Sequence, residues 1–236
     1  MRRCRCPTAG RPRRGGSRFR RRAGDGPARR SAAPVARIDT TVPPPRAGPA
    51  YTARVLVLFV CTANVCRSPM AAAFLDLVAG EVAGDLDEPV AAASAGLLDG
   101  GRPVSPEVVT ALAPFGIDLS GHRSTRLTAA ALEGADLVVG MERRHGREAV
   151  LLVPAAWPRT FTLKELVRRG EKVGPRPAGQ PLDAWLAVVG DGRERTDLVG
   201  RSPEDDVADP LGGDLAAYRA TAAELADLVQ RLARLL

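Results

Sequence analysis

An uninterrupted run of six apolar residues, Val55–Val60, leads through a short loop into Pro69–Val78, a segment of helix-forming residues. A strand that is apolar at every position, rather than at alternate positions, is typical of a central strand of a parallel sheet covered on both faces. Ser68 and Pro69 suit a helix start, where serine can cap free N–H groups and proline loses no hydrogen bond. The sequence therefore predicts a buried strand–loop–helix unit.

The same alternation of strands and helices continues to the end of the chain. Further strands are predicted at Val90–Ser94, Ala135–Gly140 and Arg159–Thr162, and further helices at Ser105–Phe115, Thr128–Gly134, Glu142–Leu151, Leu163–Arg169 and Gly213–Leu236. This order predicts a single doubly wound α/β domain with a parallel sheet, which binds ligands at the carboxyl ends of its strands. Residues 170–208 are rich in Pro, Gly and charges, and we expect an irregular surface excursion there.

The basic charge of the chain is concentrated at its N-terminal end. Residues 1–54 carry 15 Arg against Asp25 and Asp39, so the rest of the chain carries 19 of the 34 basic and 25 of the 27 acidic side chains. Residues 1–53 lack apolar periodicity and are rich in Arg, Pro and Gly, which predicts a disordered tail preceding a domain at 54–236. The less favoured alternative is an electrostatic contact of this tail with nucleic acid or with a membrane surface.

Cysteine usage and hydropathy limit the class of protein. No stretch of about 18 apolar residues is present, so no membrane span is predicted. The tail lacks the apolar run of a signal peptide, so we expect a cytoplasmic, reducing location in which Cys61 and Cys66 serve thiol chemistry. Cys4 and Cys6 have no further ligand residues near them, and we expect neither a metal site nor a cofactor.

The loop between the first strand and the first helix carries the chemistry. Cys61 and Arg67 are separated by five residues, and Ser68 follows. This spacing lets the backbone curl around one tetrahedral anion with successive N–H groups pointing inward, while the helix N-terminus adds its positive end. Arg67 can donate two parallel hydrogen bonds to a phosphate, and the same positive field favours the nucleophilic thiolate of Cys61. The intervening residues are Thr62, Ala63, Asn64, Val65 and Cys66.

The segment around this loop resembles the active-site signature of the low-molecular-weight protein-tyrosine phosphatase family. The resemblance extends from about Ala53 to Leu236 and continues through Ser94–Gly96, Gly116–Ser124, Ala135–Glu142 and Asp209–Gly213. It implies a four-stranded parallel sheet of order 2-1-3-4 flanked by helices. It also implies hydrolysis of phosphorylated protein side chains, phosphotyrosine favoured, through a cysteinyl-phosphate intermediate.

The resemblance further implies roles for individual residues. Asp209 matches the family's general acid, which protonates the leaving oxygen and then, as a carboxylate, activates the hydrolytic water. Ser68 matches the residue whose hydroxyl stabilises the Cys61 thiolate. The residues that match the supporting network of the loop are Asn64, Ser94 and His122. His145, in contrast, lies on a helix among charged residues, and we expect it to be solvated.

Cys66 matches the family's second loop cysteine. The resemblance implies a reversible disulfide with Cys61 under oxidation, which would protect the nucleophile from further oxidation. The alternative is that Cys66 is only a small buried residue.

Departures from the family pattern leave the substrate open. Ala63 replaces a glycine, and Leu211 replaces the aromatic residue that packs on the substrate ring in tyrosine-selective members. Phe161–Glu165 resembles the bacterial branch that includes protein-arginine phosphatases, but those have threonine where this chain has Val65, which argues against arginine specificity.

Arsenate reductases of the same fold use further cysteines, whereas no cysteine follows Cys66. A non-catalytic phosphate-binding module would need no general acid.

Overall fold

The computed structural model describes residues 55–80 and 88–236, and of residues 36–37 and 81 the backbone only. The strands of the main sheet are β1 (Val55–Cys61), β2 (Val90–Gly96), β3 (Leu137–Gly140) and β4 (Thr160–Thr162). The α-helices are α1 (Arg67–Glu81), α2 (Pro106–Leu112), α3 (Ala129–Gly134), α4 (Arg143–Leu152), α5 (Leu163–Val173), α6 (Leu182–Val189) and α7 (Leu215–Ala233).

The four strands are parallel and lie in the order β2-β1-β3-β4. This confirms the predicted fold class and the strand order 2-1-3-4. Strand β1 is central, and its seven residues are all buried. Because parallel strands end at the same edge, Cys61 at the end of β1, Gly96 at the end of β2 and Gly140 at the end of β3 lie along one edge.

Strand β1 divides the core between the two faces of the sheet. Val55, Val57 and Phe59 belong to the larger apolar cluster, which also contains side chains of α1, α2, α5, α6 and α7. Leu56 and Leu58 belong to a smaller cluster under α3 and α4. Each fully buried side chain of this size contributes about 1.5–3 kcal/mol relative to exposure, so β1 is the main anchor of both layers.

Helix ends follow local signals in the sequence. Thr162 precedes α5 and forms a reciprocal capping box with Glu165, in which each side chain bonds the other residue's backbone N–H. Thr128 caps α3 by accepting from Ala131 N. Helix α1 begins at Arg67, so Ser68 lies inside its first turn and not at the cap as predicted.

The segment 170–208 differs from the predicted irregular surface excursion. It contains the end of α5 and the whole of α6, and Trp185, Leu186 and Val189 of α6 are buried in the larger cluster. The indole of Trp185 donates to Gly174 O at 3.1 Å. The apolar face of α6 is therefore part of the core, because burial of these side chains offsets the cost of ordering the segment.

Of the segment predicted as a disordered tail, only the backbone of Ala36–Arg37 is described, and it pairs in parallel with Ile117–Asp118. The predictions for the rest of residues 1–53, including the nucleic-acid contact, fall outside the described residues. Within the described part of the chain, no helix combines the length and apolar character that crossing a membrane requires.

Candidate active site

The loop between β1 and α1 encloses the sulfur of Cys61. Asn64 N donates to Cys61 Sγ at 3.2 Å, and Ser68 Oγ donates to the same sulfur at 3.0 Å. Cys61 is 3% exposed. Two donors aimed at one sulfur stabilise negative charge there, so the geometry suits a thiolate.

Asn64 is the centre of a buried network that holds the loop. Its backbone φ of 53° is in the left-handed region, which asparagine tolerates better than most residues. Its Nδ2 donates to Ser68 Oγ at 3.0 Å and to Ser94 Oγ at 2.8 Å, and its Oδ1 accepts from Thr125 N at 2.8 Å. His122 Nε2 donates to Asn64 O at 2.9 Å. The structure thus brings together the three residues predicted as the supporting network.

Gly96, the last residue of β2, passes directly behind the loop. A Cβ at this position would lie 2.8 Å from Asn64 N and 2.9 Å from the carbonyl carbon of Ala63. Such contacts are closer than real Cβ atoms make, so only glycine lets β2 and the loop approach this closely. The glycine of the Ser94–Gly96 block therefore has a steric reason.

Arg67 connects the loop to the segment that carries Asp209. The residue is 1% exposed. Its Nη1 donates to Glu142 Oε1 at 2.5 Å and to Val207 O at 2.9 Å, and its Nη2 donates to Asp209 Oδ2 at 2.6 Å. The predicted nucleophile loop, cation and acid are therefore adjacent, although Asp209 lies 142 residues beyond Arg67 in the chain.

Glu142 is a site residue to which the sequence assigned no role. Burial alone would raise the pKa of Glu142, but the hydrogen bond and the charge of Arg67 outweigh burial and lower it below the ordinary value. The carboxylate therefore stays ionised and fixes one side of the guanidinium. The sequence contained a signal for this role. Glu142 comes two residues after the end of β3, at the edge of the sheet where Cys61 lies.

His145 corrects the expectation of a solvated side chain. It is fully buried, and its Nε2 lies 3.1 Å from Thr62 Oγ1 of the loop. Burial and the nearby arginines Arg67 and Arg144 lower the pKa of His145 to about 3, although the charge of Glu142 raises it. The imidazole is consequently neutral at physiological pH. Thr62 Oγ1 also accepts a hydrogen bond from Arg144 Nη2.

The two loop cysteines are both free and buried. Burial, and after it the negative charge of Cys61, raises the pKa of Cys66 far above the ordinary thiol value. Cys66 is therefore a thiol at physiological pH, and Cys61 stays the candidate nucleophile of the pair.

The mouth of the site is formed by the residues around Asp209. The side chain of Asp209 is 38% exposed, and its Oδ1 accepts from Leu211 N at 3.2 Å. Leu211 is 57% exposed, while Ala63 is buried and Val65 is partly buried in the loop. The arrangement brings the Cys61 sulfur, the Arg67 guanidinium and the Asp209 carboxyl group to one site, and a guanidinium beside a curled loop suits a tetrahedral anion.

Comparison with known proteins identifies related chains. The family model described as low molecular weight phosphotyrosine protein phosphatase matches residues 56–173. The protein-arginine-phosphatase of Geobacillus stearothermophilus is 32% identical over 178 residues, which cover 75% of this chain and 93% of that protein. The probable low molecular weight protein-tyrosine-phosphatase EpsP of Ralstonia solanacearum is 36% identical over 110 residues, which cover 47% of this chain and 71% of that protein.

A solved structure shows similarity to the same family. The low molecular weight protein tyrosine phosphatase from T. tengcongensis is 34% identical, with a TM-score of 0.56, and the match covers 75% of this chain and 97% of that one. The similarity therefore includes nearly the whole of the solved chain.

Proposed function

Because this chain belongs to the low molecular weight phosphotyrosine protein phosphatase family, and is therefore a phosphatase, we propose that it hydrolyses phosphorylated side chains of proteins through a cysteinyl-phosphate intermediate. The family predicted from the sequence is confirmed. The observation that carries the proposed mechanism is the meeting of Cys61, Arg67 and Asp209, since Arg67 is the second to last residue of the loop and bonds Asp209 directly.

In the first step, the thiolate of Cys61 attacks the phosphorus while the phosphoryl oxygens bind the loop N–H groups and Arg67. The bond from phosphorus to the leaving oxygen breaks, and protonated Asp209 gives its proton to that oxygen. In the second step, the Asp209 carboxylate takes a proton from water as the water oxygen attacks the phosphorus. The sulfur–phosphorus bond then breaks, which restores the thiolate and releases inorganic phosphate. This mechanism invokes no metal and no cofactor.

The intermediate gives the direct test. Wild-type protein quenched in acid during turnover of a phosphotyrosine peptide is expected to carry one phosphoryl group on Cys61, mapped by mass spectrometry. Cys66→Ser is the matched control in the same loop and is expected to carry it too. Release of phosphate by a Cys61→Ser variant at the wild-type rate would overturn the mechanism.

Phosphotyrosine is the favoured substrate. Val65 and Leu211 offer apolar surface at the site and no hydroxyl group that could bond a guanidinium, which supports an aryl phosphate. Phosphoarginine is the second candidate, because the relative from Geobacillus stearothermophilus, of which 93% is covered, is named a protein-arginine-phosphatase.

Two peptides that differ only in the phosphorylated residue distinguish these substrates. We expect a higher kcat/KM for the phosphotyrosine peptide, and Val65→Thr is expected to shift the ratio toward the phosphoarginine peptide. A wild-type preference for phosphoarginine would make the second candidate the substrate class.

We also propose that the enzyme is cytoplasmic and redox-regulated, which is supported by the two free thiols in one loop. Peroxide would convert the Cys61 thiolate to a sulfenic acid, and the Cys66 thiol would then form the disulfide with loss of water. Peroxide inactivation is therefore expected to be reversed by dithiothreitol in wild type and less completely in Cys66→Ser. Equal recovery of both proteins, without a Cys61–Cys66 linkage in mass spectrometry, would refute the regulation.

A further inference from the structure

The segment that leads to Asp209 is held by a carboxylate that the mechanism above does not use. Asp205 Oδ2 accepts from Arg143 Nε at 2.8 Å and from Arg143 Nη2 at 2.6 Å, and its Oδ1 accepts from Arg168 Nη2 at 2.8 Å. Asp205 is 5% exposed. Arg143 is the first residue of α4, and Arg168 lies in α5. These three residues are called the Asp205 clamp below.

We infer that the Asp205 clamp positions the general acid, so that Asp205 is a positioning residue of the phosphatase reaction acting through Asp209. The inference rests on the proposed function of Asp209 as the proton donor.

The contacts of Asp209 itself explain why its position depends on the preceding residues. Its carboxylate bonds Arg67 and the nearby backbone N–H of Leu211, and the side chain is 38% exposed. The backbone that carries it is fixed at Val207, whose N–H donates to Met141 O at 2.8 Å and whose carbonyl accepts from Arg67. Asp205 lies two residues before Val207 and therefore fixes the other end of this stretch.

Residues at the start of helix α4 bind both the segment that carries Asp209 and the loop arginine Arg67. Arg143, which binds Asp205, directly follows Glu142, which binds Arg67. Asp206 adds a second link, because its Oδ1 accepts from Arg143 N at 2.8 Å. The clamp thereby places the acid and the phosphate-binding arginine relative to the same turn of α4. A displacement of about 1 Å in such a geometry costs about 10²-fold in rate.

The clamp is electrostatically stronger than an ordinary surface ion pair. Burial alone would raise the pKa of Asp205, but the hydrogen bonds from Arg143 and Arg168 outweigh burial and lower it. The side chains of Arg143 and Arg168 are 26% and 40% exposed. Removal of the Asp205 charge therefore leaves both arginines hydrated, and Asp205→Asn is expected to fold.

The dependence on the leaving group separates positioning from plain stability. In Asp205→Asn, kcat/KM for phenyl phosphate, which needs a proton donor, is expected to fall about 10- to 100-fold. For para-nitrophenyl phosphate, whose leaving group is a weak base, the expected fall is under about 3-fold. The matched control is Glu171→Gln, which neutralises another carboxylate that accepts two hydrogen bonds from one arginine, Arg231, and is expected to change neither value.

A double-mutant cycle tests whether Asp205 acts through Asp209. If Asp205 acts through Asp209, then Asp205→Asn changes kcat/KM in an Asp209→Asn background by less than about 2-fold. An equal loss for both aryl phosphates, or a full additional loss in the Asp209→Asn background, overturns the inference. If Asp205→Asn fails to fold, Arg168→Lys is measured in the same cycle, because it keeps the charge but lacks the planar guanidinium that bonds both Asp205 Oδ1 and Glu204 O.

The outcomes for the clamp and for the proposed function are distinct. A wild-type protein that hydrolyses neither aryl phosphate contradicts the proposed function. A wild type with a leaving-group effect in Asp209→Asn but none in Asp205→Asn or Arg168→Lys contradicts the clamp alone.

Discussion

The loop at Cys61–Ser68 and the segment at 205–209 form one site, but they are held by different kinds of contact. The loop is held by buried, neutral hydrogen bonds around Asn64. The segment is held by ion pairs of Asp205 and Asp209 with arginines from other elements. The difference indicates that the Asn64 network holds the phosphate-binding half without charged groups, apart from the ion pairs of Arg67, whereas the position of the proposed proton-donating half depends on ionised groups.

The largest effect is expected from Cys61, the proposed nucleophile. Cys61→Ser retains an atom that can accept from Asn64 N and Ser68, so the loop is expected to keep its shape. Turnover of para-nitrophenyl phosphate is expected to fall to the background rate, because a serine hydroxyl is far less ionised. The free energy of unfolding, measured in urea, is expected to change by less than about 1 kcal/mol. Appreciable turnover would place the nucleophile elsewhere.

The next largest effect is expected in the other half of the site. Asp209→Asn removes the proposed proton donor, and kcat/KM for phenyl phosphate is expected to fall about 10²–10⁴-fold, with a smaller fall for para-nitrophenyl phosphate. Because the hydrogen bonds around Asn64 hold the loop without Asp209, the variant is expected still to bind inorganic phosphate, measured as competitive inhibition. Loss of that binding would show that the two halves are not independent.

Asn64 allows the neutral network to be separated into two contributions. Asn64→Gly removes three side-chain hydrogen bonds but suits the left-handed backbone. Asn64→Ala removes the same hydrogen bonds, and the left-handed conformation destabilises it by about a further 1–2 kcal/mol. We expect both variants to lose about 10-fold or more in kcat/KM, and Ala to be less stable than Gly by about 1 kcal/mol. Equal stabilities in urea unfolding would show that the backbone conformation is not strained.

The last prediction concerns the pH dependence of stability under the loop and not catalysis. The pKa of His145 falls from 6.5 to about 3 on folding, so below pH 6.5 the unfolded chain binds a proton that the folded chain excludes. Stability is therefore lost as pH falls through this window, with a slope approaching about 1.4 kcal/mol per pH unit. Between pH 6.5 and about 5.5, where most carboxylates remain ionised, His145→Gln is expected to show a flatter dependence in urea unfolding. An unchanged slope would mean that His145 is protonated in the folded protein.

The two halves also differ in how far the sequence predicts them. Strand β1, the loop and most of α1 follow from an apolar run and a residue spacing that lie within one stretch of the chain. Some of their hydrogen bonds are local and join Asn64 to Ser68 and Cys61, while Ser94, His122 and Thr125 complete the network from other parts of the chain. The resemblance to the family added Asp209, which no local pattern connects to Arg67.

The remaining contacts could not be predicted because they depend on packing between distant elements. Asp205 meets Arg143 and Arg168 only after α4, α5 and residues 202–209 have folded together. Helix α6 has eight residues, too few for a clear helical period, and its burial depends on the neighbouring α5. His145 was misjudged for another reason. Charged neighbours suggested solvation, whereas the four-residue spacing to buried Ala149 already placed it on the apolar face of α4.

The ion pair between Arg67 and Asp209 means that the arginine already holds an anion supplied by its own chain. A substrate therefore enters by exchange, and its measured affinity is relative to that internal competitor. The same exchange frees Asp209 Oδ2 from Arg67, so a single event admits the substrate and releases the carboxyl group that is proposed as the acid.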